Sequence, residues 1–320
     1  MVDRDAVARV LDHYGLRPTG RMSARNGVVR IATTGGPKTL TRYPAERSTR
    51  SIASEHSILR HLEAIRFPAV RVGVTGGGET VVQVDGSRFA LYEDVPGRSL
   101  RGRLLRPAST QRWARAGALL ATFHRGLEDF TPTTGSGAND APERDTAWHL
   151  ATLEALANER PPGSNAPLAR NWRWLREQAP RIAEPLERLG AELDRAPLSR
   201  TVVHGGFGPG SVRFPDRGPV LVDLERAHVD RRLVDHVDVL RRAPAPASAA
   251  FMGGYDATYG PPDGEWRSLP QLWRYDCLCR AVRSWQDFVE LGDERRLRSA
   301  RASVEEADRV AATKTSSRVG

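Results

Sequence analysis

The pattern of apolar residues changes once along this chain, around Val95-Pro96-Gly97, and that change limits the folds it can adopt. Before it, short apolar runs are separated by glycine turns, which predicts an antiparallel sheet over residues 20–95. One segment in this part, residues 49–65, instead carries its apolar side chains on a single helical stripe. After the change, most segments have helical periodicity. The sequence therefore predicts an α+β protein, with a small sheet and one helix followed by a larger, mainly helical part.

The helical patterns of the second part are interrupted by one pair of short strands. We predict helices over residues 109–127, 146–194 with a break at 161–163, and 266–310, and strands over 201–204 and 219–223. A chain of 320 residues is long enough for two hydrophobic cores. We therefore expect an N-terminal unit over 1–95, a helical C-terminal unit over 96–312 and a disordered tail over 313–320.

Composition is typical of a globular protein, with 39% apolar and 27% charged residues. No apolar run approaches the roughly 18 residues that suggest a membrane helix. The first residues carry acids and lack the apolar stretch of a secretion signal, so we expect a cytoplasmic protein. Cys277 and Cys279 lie two apart in a helical pattern, so their side chains point about 200° apart. They cannot pair with each other, and two ligands do not complete a zinc site.

The net charge of +9 comes almost entirely from arginine, because Lys38 and Lys314 are the only lysines. A basic chain can bind nucleic acid. Here, however, the arginines are spread along the chain and interleaved with acids, and no basic run with aromatic spacing occurs. We therefore do not expect a nucleic-acid partner, and interpret the charge as a surface that favours anionic ligands.

Residues 202–225 combine a strand, a glycine-rich turn and a second strand that ends in Asp223. This segment resembles the catalytic segment of the aminoglycoside phosphotransferase and choline kinase-like superfamily. In that family a strand leads into H-G-D-x-x-x-x-N, and a second strand ends in an aspartate. His204 and Asp223 match this pattern. Gly206 stands where the family has its catalytic aspartate, and Ser211 stands where it has its metal-binding asparagine.

Other motifs in the same order extend the resemblance over roughly residues 20–290. Leu40-Thr41-Arg42-Tyr43-Pro44 resembles the family strand L-K-R-Y-P, so Thr41 takes the position of the nucleotide-binding lysine. Glu55 matches the helix glutamate that pairs with that lysine. The remaining matches are the hinge at Leu91–Gly97, the helix end at Leu119–His124, and Asp235.

The resemblance implies a bilobal protein-kinase-like fold, with a small antiparallel sheet in one lobe and a mainly helical second lobe. It implies ATP and Mg2+ as cofactors. The implied nucleotide-site residues are Lys38, Thr41, Arg42, Glu55, Tyr92 and Glu93, the implied metal-site residues are Asp223 and Ser211, and the catalytic-loop positions are His204 and Gly206.

The residues at these positions are poorly suited to phosphoryl transfer, which depends on positioning and charge neutralisation. Gly206 has no side chain and cannot act as a base. Ser211 is a weaker magnesium ligand than an amide or a carboxylate, and Thr41 carries no charge. Asp223 alone would remain at the metal. The sequence therefore predicts a pseudokinase that binds nucleotide at millimolar concentration or more weakly, with His204 anchoring the loop.

Several residues keep a second interpretation. Asp223 is either a former metal ligand or the cap of a turn, and Gly206 either marks a lost base or relaxes the loop backbone. Glu55 lies on the apolar stripe of its helix, so we expect a cleft-facing ion pair with Arg42 or Lys38, rather than a surface position. Lys38 either has no role at its hairpin or replaces the missing lysine.

Three functions compete. A pseudokinase would hold a small-molecule or peptide ligand in its cleft, or act on a partner enzyme, by analogy in natural-product or modified-peptide biosynthesis. An active O-phosphotransferase would need a substitute base, for which the candidates are Asp216, Glu225, Asp230 and Asp235. An acyl hydrolase is suggested by His204-Gly205-Gly206-Phe207, but the chain contains no G-x-S-x-G nucleophile motif.

Overall fold

The computed structural model describes residues 3–25, 27–101, 109–132, 145–159, 166–262 and 264–316. These residues form two compact units, the first comprising Met1–Asp140 and Arg200–Gly260, the second Ala141–Ser199 and Pro261–Gly320. Within the described ranges, no helix is both long and apolar enough to cross a membrane.

The first unit begins with a five-stranded antiparallel sheet. Its elements are α1 (Arg4–His13), β1 (Pro18–Arg25), β2 (Val28–Thr33), β3 (Gly36–Arg42), α2 (Thr49–Ala64), β4 (Val82–Val84) and β5 (Ser87–Glu93). The strand order is β1-β2-β3-β5-β4. Helix α1 packs its buried side chains, among them Val7, Val10 and Leu11, against one face of the sheet. The sheet with one inserted helix, predicted for residues 20–95, is confirmed.

The alternation of side chains along β3 decides which residues face which side of the sheet. Leu40 is fully buried in the core against α1. Thr39 and Thr41 therefore point to the opposite face. They are paired in register with Tyr92 and Ala90 of β5, which share that face. This second face of the sheet lines the candidate site.

The rest of the first unit surrounds a short glycine-rich loop, residues 204–211. Its elements are β6 (Arg98–Ser99), α3 (Thr110–Gly126), β7 (Arg200–Val203), β8 (Val212–Phe214), β9 (Val220–Leu221), a 3-10 helix (Leu224–Arg226), β10 (His228–Arg231), α6 (Val234–Arg242) and α7 (Ala245–Tyr259). Strands β6, β8 and β9 form one small sheet, and β7 pairs with β10. Helices α3 and α7 approach so closely that a Cβ atom on Gly117 would lie 2.0 Å from the carbonyl oxygen of Phe251.

The second unit is helical. It contains α4 (Thr146–Asn158), α5 (Ala166–Arg195), a 3-10 helix (Glu265–Ser268), α8 (Leu269–Leu291) and α9 (Glu294–Ser316). Helix α8 packs against α4, α5 and α9. Cys277 and Cys279 are both buried in α8.

Five segments differ from the expectation. Strand β1 was not predicted, because its sequence PTGRMSAR lacks apolar alternation. Within the sheet predicted over 20–95, the short apolar run at 70–74 forms one isolated bridge, between Val72 and Tyr92, instead of a strand. Helices α6 and α7 were not predicted. Helix α9 continues to Ser316, into the tail expected to be disordered, while 317–320 and the break at 161–163 lie outside the described residues.

Candidate functional site

A pocket of about 300 Å³ lies within the first unit, on the face of the sheet that carries Thr39 and Thr41. Strands β2, β3 and β5, helix α2 and the chain after β9 contribute to it. Its lining residues are Val28, Arg30, Thr39, Thr41, Tyr43, Arg47, Glu55, Val70, Tyr92, Glu93, Asp94, Val95, Arg213, Val222, Asp223, Leu224 and Glu225. The lining is therefore rich in charged side chains of both signs.

Glu55 of α2 forms a nearly buried ion pair with Arg47, in the loop before that helix. Nη2 of Arg47 lies 2.7 Å from Oε2 of Glu55, and the two side chains are 13% and 7% exposed. The hydroxyl of Tyr92 donates to Oε1 of Glu55 at 2.9 Å. Burial raises the pKa of Glu55, while the charge of Arg47 opposes that rise. Arg47 and Tyr92 thus each contact one oxygen of the Glu55 carboxyl group.

Arg47 also reaches across to the chain that follows β9. Its Nη2 donates to the backbone carbonyl of Glu225 at 2.8 Å. Its guanidinium carbon lies 4.9 Å from the centroid of the Tyr43 ring, within the range of a cation–π contact. The cation that faces Glu55 is therefore supplied by a loop and not by β3.

The predicted partners of Glu55 do not face it. Lys38 lies three residues before Thr41 on β3 and so points to the opposite face, where it lines another pocket with Glu63 and Arg71. Arg42 follows Thr41, also points away from the pocket, and is exposed. The expectation that Lys38 or Arg42 pairs with Glu55 is wrong, because strand alternation sends both side chains away from the pocket.

Tyr43 and His56 hold the Tyr92 hydroxyl in place. Nε2 of His56 lies 2.9 Å from the hydroxyl of Tyr43 and 3.1 Å from that of Tyr92, and the two hydroxyls are bonded to each other. Nδ1 of His56 lies 2.7 Å from Oγ1 of Thr80. Burial lowers the pKa of His56 to about 4, and the nearby charge of Arg47 acts in the same direction. The imidazole is therefore neutral near pH 7.

Asp235, in the first turn of α6, anchors the glycine-rich loop. Its carboxylate accepts the backbone N–H of His204 at 2.7 Å and that of Gly205 at 2.9 Å. Nε2 of His124 lies 3.1 Å from the same carboxylate. Burial alone would raise the pKa of Asp235, but the hydrogen bond from His124 and the backbone amide of His204 lower it to about 2. Asp235 is thus a buried carboxylate engaged by the loop.

His204 is 2% exposed, and its Nε2 lies 2.9 Å from the carbonyl oxygen of Val222. It connects the loop to the residue that precedes Asp223. This contact is consistent with the anchoring role expected for it.

The two loop positions that differ from the family pattern have different environments. Gly206 has no left-handed backbone, and a Cβ atom there would meet its nearest neighbour, Cδ of Arg226, at 3.5 Å. A Cβ atom therefore fits at this position in ordinary van der Waals contact. The Ser211 hydroxyl is buried, accepts the N–H of Gly208 at 3.1 Å and donates to the carbonyl of Gly206 at 3.4 Å. Ser211 thus closes the loop on itself.

Asp223 lies in the pocket with a left-handed backbone, at φ 64° and ψ 48°. This conformation is uncommon for a residue with a side chain, and such residues concentrate at functional sites. Its side chain makes no capping hydrogen bond to the 3-10 helix that begins at Leu224. The alternative of a simple turn cap is therefore not supported. Among the described residues, no group of three or more His, Cys, Asp or Glu side chains is arranged to hold a metal ion.

A family model for the phosphotransferase enzyme family, which includes the aminoglycoside phosphotransferases, matches residues 20–272. The chain belongs to this family. No curated protein matches the chain in sequence.

Solved structures of phosphotransferases share the fold at low sequence identity. Spectinomycin phosphotransferase bound to AMP is similar with a TM-score of 0.69 at 12% identity, over 96% of this chain and 98% of that one. Amicoumacin kinase with AMP-PNP and Ca2+ gives 0.68 at 14%, over 96% and 93%. A microcompartment-associated aminopropanol kinase gives 0.67 at 16%, over 97% and 98%. The predicted kinase-like fold is thereby confirmed.

The phosphotransferase-family positions now divide into two groups. The pocket brings together Thr41, Glu55, Tyr92, Glu93 and Asp223. The described lining of that pocket includes neither Gly206 nor Ser211.

The sequence analysis missed Arg47, because it lies in a loop outside every family motif. The available signal was an arginine directly before Ser48, which caps α2 and so places Arg47 beside the first turns of that helix.

The four candidate substitute bases also lie in different places. Glu225 lines the pocket two residues after Asp223. Asp235 is engaged in anchoring the loop, and Oδ1 of the buried Asp230 accepts the N–H of Arg231. Asp216 is exposed on the turn between β8 and β9. Of these four acids, Glu225 is the one placed near Asp223.

Proposed function

We propose that this chain is a non-catalytic member of the phosphotransferase family, a pseudokinase whose pocket retains the capacity to bind a ligand. The observation that carries the proposal is the environment of Gly206, at the position of the family's catalytic aspartate. The backbone there has room for a Cβ atom, and the loop around it is anchored by Asp235. The shape of the loop therefore does not require glycine at position 206.

The loss of that carboxylate removes the group that would take the proton of an attacking hydroxyl. General-base catalysis typically contributes about 10²–10⁴-fold to rate. The Ser211 hydroxyl is engaged in hydrogen bonds within the loop. An asparagine at this position would offer an amide oxygen to a metal. Asp223 and Glu225 are the carboxylates of the catalytic segment that line the pocket, and of these two Asp223 stands at the position of the family's metal ligand. Coupled losses of this kind support a protein that binds a ligand without catalysing phosphoryl transfer.

The pocket lining supports weak nucleotide binding. Small-molecule pockets are mostly apolar with a few placed polar groups. Here, Oγ1 of Thr39 donates to Asp94 at 3.0 Å, and Nε of Arg30 lies 3.4 Å from the same carboxylate. Arg47 is already engaged by Glu55, so binding of a phosphate to it would compete with that ion pair. We expect Mg-ATP to bind at millimolar concentration or more weakly, and a small molecule or peptide to be the true ligand.

The pseudokinase acts through binding, either by presenting that ligand or by regulating a partner enzyme. By analogy, natural-product or modified-peptide biosynthesis is a setting in which such a subunit would serve. The small, polar pocket limits the ligand to one with hydrogen-bonding groups.

Glu225 favours a second candidate, an active ATP-dependent O-phosphotransferase. Its carboxyl group lies in the same pocket as Asp223 and raises the pKa of Glu55 by its charge. A carboxylate in that position is available to orient a hydroxyl nucleophile. In this alternative, Asp223 holds Mg2+ and Glu225 replaces the base.

The two candidates are separated by an assay for phosphate transfer and ATP hydrolysis with Mg2+, using small alcohols, amino sugars and serine peptides as acceptors. The pseudokinase proposal predicts no turnover above a protein-free control. Turnover that is abolished by Asp223→Ala and strongly reduced by Glu225→Gln would establish the alternative. Arg60→Ser, on an exposed position of α2, serves as a matched control for each preparation.

A further inference from the structure

The guanidinium group of Arg47 has hydrogen-bond donors that the protein itself does not use. Its Nη2 donates to Oε2 of Glu55 at 2.7 Å and to the backbone carbonyl of Glu225 at 2.8 Å. Its Nε donates to Oγ of Ser51 at 3.4 Å. A guanidinium group carries five N–H donors, and two of them belong to Nη1. Nη1 makes no hydrogen bond to the described part of the chain, so its two donors are available to a ligand.

This guanidinium group lies in the wall of the candidate pocket. Arg47 lines the pocket together with Glu55, Glu225 and Tyr43, the residues that it contacts. Its guanidinium carbon lies 4.9 Å from the centroid of the Tyr43 ring, and its side chain is 13% exposed. The side chain is therefore held in place before a ligand binds, which lowers the entropic cost of binding.

The charged residues that line the pocket divide into a paired and an unpaired set. Arg47 pairs with Glu55, and Nε of Arg30 lies 3.4 Å from Oδ1 of Asp94. The other charged lining residues have side chains without a hydrogen bond or ion pair to any residue that the structure describes. They are Glu93, Arg213, Asp223 and Glu225. The unpaired set thus contains both signs of charge, with negative charge in excess.

Two of the unpaired carboxylates lie close to the guanidinium group of Arg47. Arg47 donates to the backbone of Glu225, and the Cα atoms of Asp223 and Glu225 are at most about 7.6 Å apart. The carboxylates of Asp223 and Glu225 attract an ammonium group, and the donors on Nη1 of Arg47 suit a carboxylate. A ligand with only one of these charges would leave the other set of groups without a partner.

We propose that the pocket binds a small zwitterion, a molecule of dipeptide size that carries an ammonium group at one end and a carboxylate at the other. The carboxylate accepts from Nη1 of Arg47, and the ammonium group lies against Asp223 and Glu225. A dipeptide spans at most about 7 Å, and a pocket of about 300 Å³ has room for it. This inference rests on the proposed binding function of the pocket and names the chemical class of its ligand.

The test is a calorimetric titration with alanyl-alanine, with its N-acetyl form and with its C-terminal amide, in the absence of ATP and magnesium. The N-acetyl form lacks the ammonium group, and the amide lacks the carboxylate. We expect the free dipeptide to bind at least about tenfold more tightly than either blocked form, because each blocked form loses a hydrogen bond between charged groups. No binding of the free dipeptide, or equal binding of the three forms, would overturn the site.

A variant of Arg47 assigns the carboxylate end of the ligand. Arg47→Lys keeps a positive charge beside Glu55 but removes Nη1, so it should bind the free dipeptide and the amide equally. Arg60→Lys, at an exposed position of α2, is the matched control and should keep the tenfold preference. An Arg47→Lys protein that still prefers the free carboxylate would rule out the proposed contact.

A variant of the two acids assigns the ammonium end. Asp223→Asn combined with Glu225→Gln removes both charges with little change in shape, so this variant should bind the free and the N-acetyl dipeptide equally. It disrupts no side-chain hydrogen bond of the described residues and is expected to fold, so the test remains valid if Arg47→Lys unfolds. Asp216→Asn, on the exposed turn between β8 and β9, is the matched control. A persisting preference for the free ammonium group in the double variant would contradict the site.

The outcome is separate from that of the phosphate-transfer assay, because the titration contains neither ATP nor magnesium. Turnover in that assay would overturn the pseudokinase proposal, whereas equal binding of the three dipeptide forms would overturn the zwitterion site alone.

Discussion

Arg47 and Glu55 form the best-shielded ion pair of the candidate pocket, with 2.7 Å between Nη2 and Oε2 and both side chains mostly buried. The pair joins the loop after β3 to helix α2. The carbonyl of Glu225 accepts a further bond from the same nitrogen of Arg47, so the pair also holds the segment that carries Asp223. In the family motif that residues 40–44 resemble, a lysine stands at the position of Thr41 and pairs with the glutamate that Glu55 matches. In this protein the cation beside Glu55 is Arg47, in the loop before α2.

Removal of Arg47 should therefore be costly. Arg47→Ala leaves Glu55 buried without its cation, and breaking a buried pair in this way typically costs about 3 kcal/mol of unfolding free energy. Urea denaturation measures the loss. Arg42→Ala, on the exposed side of β3, is the matched control and should change stability by less than about 0.5 kcal/mol. Similar losses in the two variants would contradict the ion pair.

The pair can also be tested through its partner. Arg47→Ala combined with Glu55→Gln removes the uncompensated charge, so the double variant should be more stable than Arg47→Ala alone. A double variant that loses the sum of the two single effects would show that the residues act independently.

Stability should fall as the pH drops from 6.5 to about 4, partly through His56. Burial lowers the folded-state pKa of His56, so the unfolded chain binds a proton in this window that the folded protein does not. The contribution of His56 to the free energy of unfolding is thus fully present above pH 6.5 and is lost as the pH falls toward about 4. Burial also lowers the pKa values of His124 and His236, which add to the slope.

His56→Gln should reduce this pH dependence by the contribution of about one proton, without abolishing it. Urea denaturation at a series of pH values measures the change. The exposed His13, on the last turn of α1, provides the control variant His13→Gln. An unchanged slope for His56→Gln would mean that His56 is protonated in the folded protein.

Two neighbouring glycines should respond in opposite ways to alanine. Gly205 has φ +76°, and a Cβ atom there would lie 2.2 Å from the carbonyl oxygen of Arg226. Gly205→Ala should therefore cost about 2 kcal/mol or more of unfolding free energy. Gly206→Ala meets only ordinary contacts and should cost less than about 1 kcal/mol. A large loss in Gly206→Ala would mean that the backbone, and not the chemistry, requires glycine there.

Local patterns account for what could be predicted of the fold. Helices α2 and α3 have apolar stripes of helical period, and glycine turns separate the strands of the five-stranded sheet. Strand β1 is polar and lies at a sheet edge, so its sequence lacks the alternation that marks a half-buried strand. Helix α7 contains Gly253-Gly254 and several alanines, which give a weak periodic signal. Its helical state depends on packing against α3.

The features of the site that follow from a single helix or strand could be predicted from the sequence. The apolar stripe of α2 correctly placed Glu55 toward the interior. Strand alternation already implies that Lys38 and Arg42 face away from Thr41, and applying it would have excluded both as partners of Glu55. Arg47 lies in a loop, where no periodicity applies. Arg47 and Glu225 are 178 residues apart, so their contact depends on the tertiary fold.

We propose that the catalytic segment has lost its transfer chemistry while its fold remains. Calorimetric titration with Mg-ATP, for the wild type and for the variant Gly206→Asp, Ser211→Asn and Thr41→Lys, tests this most directly. We predict a dissociation constant in the millimolar range or weaker for the wild type, and an affinity at least about tenfold higher for the triple variant. Micromolar binding by the wild type, or a triple variant with unchanged affinity, would contradict the account.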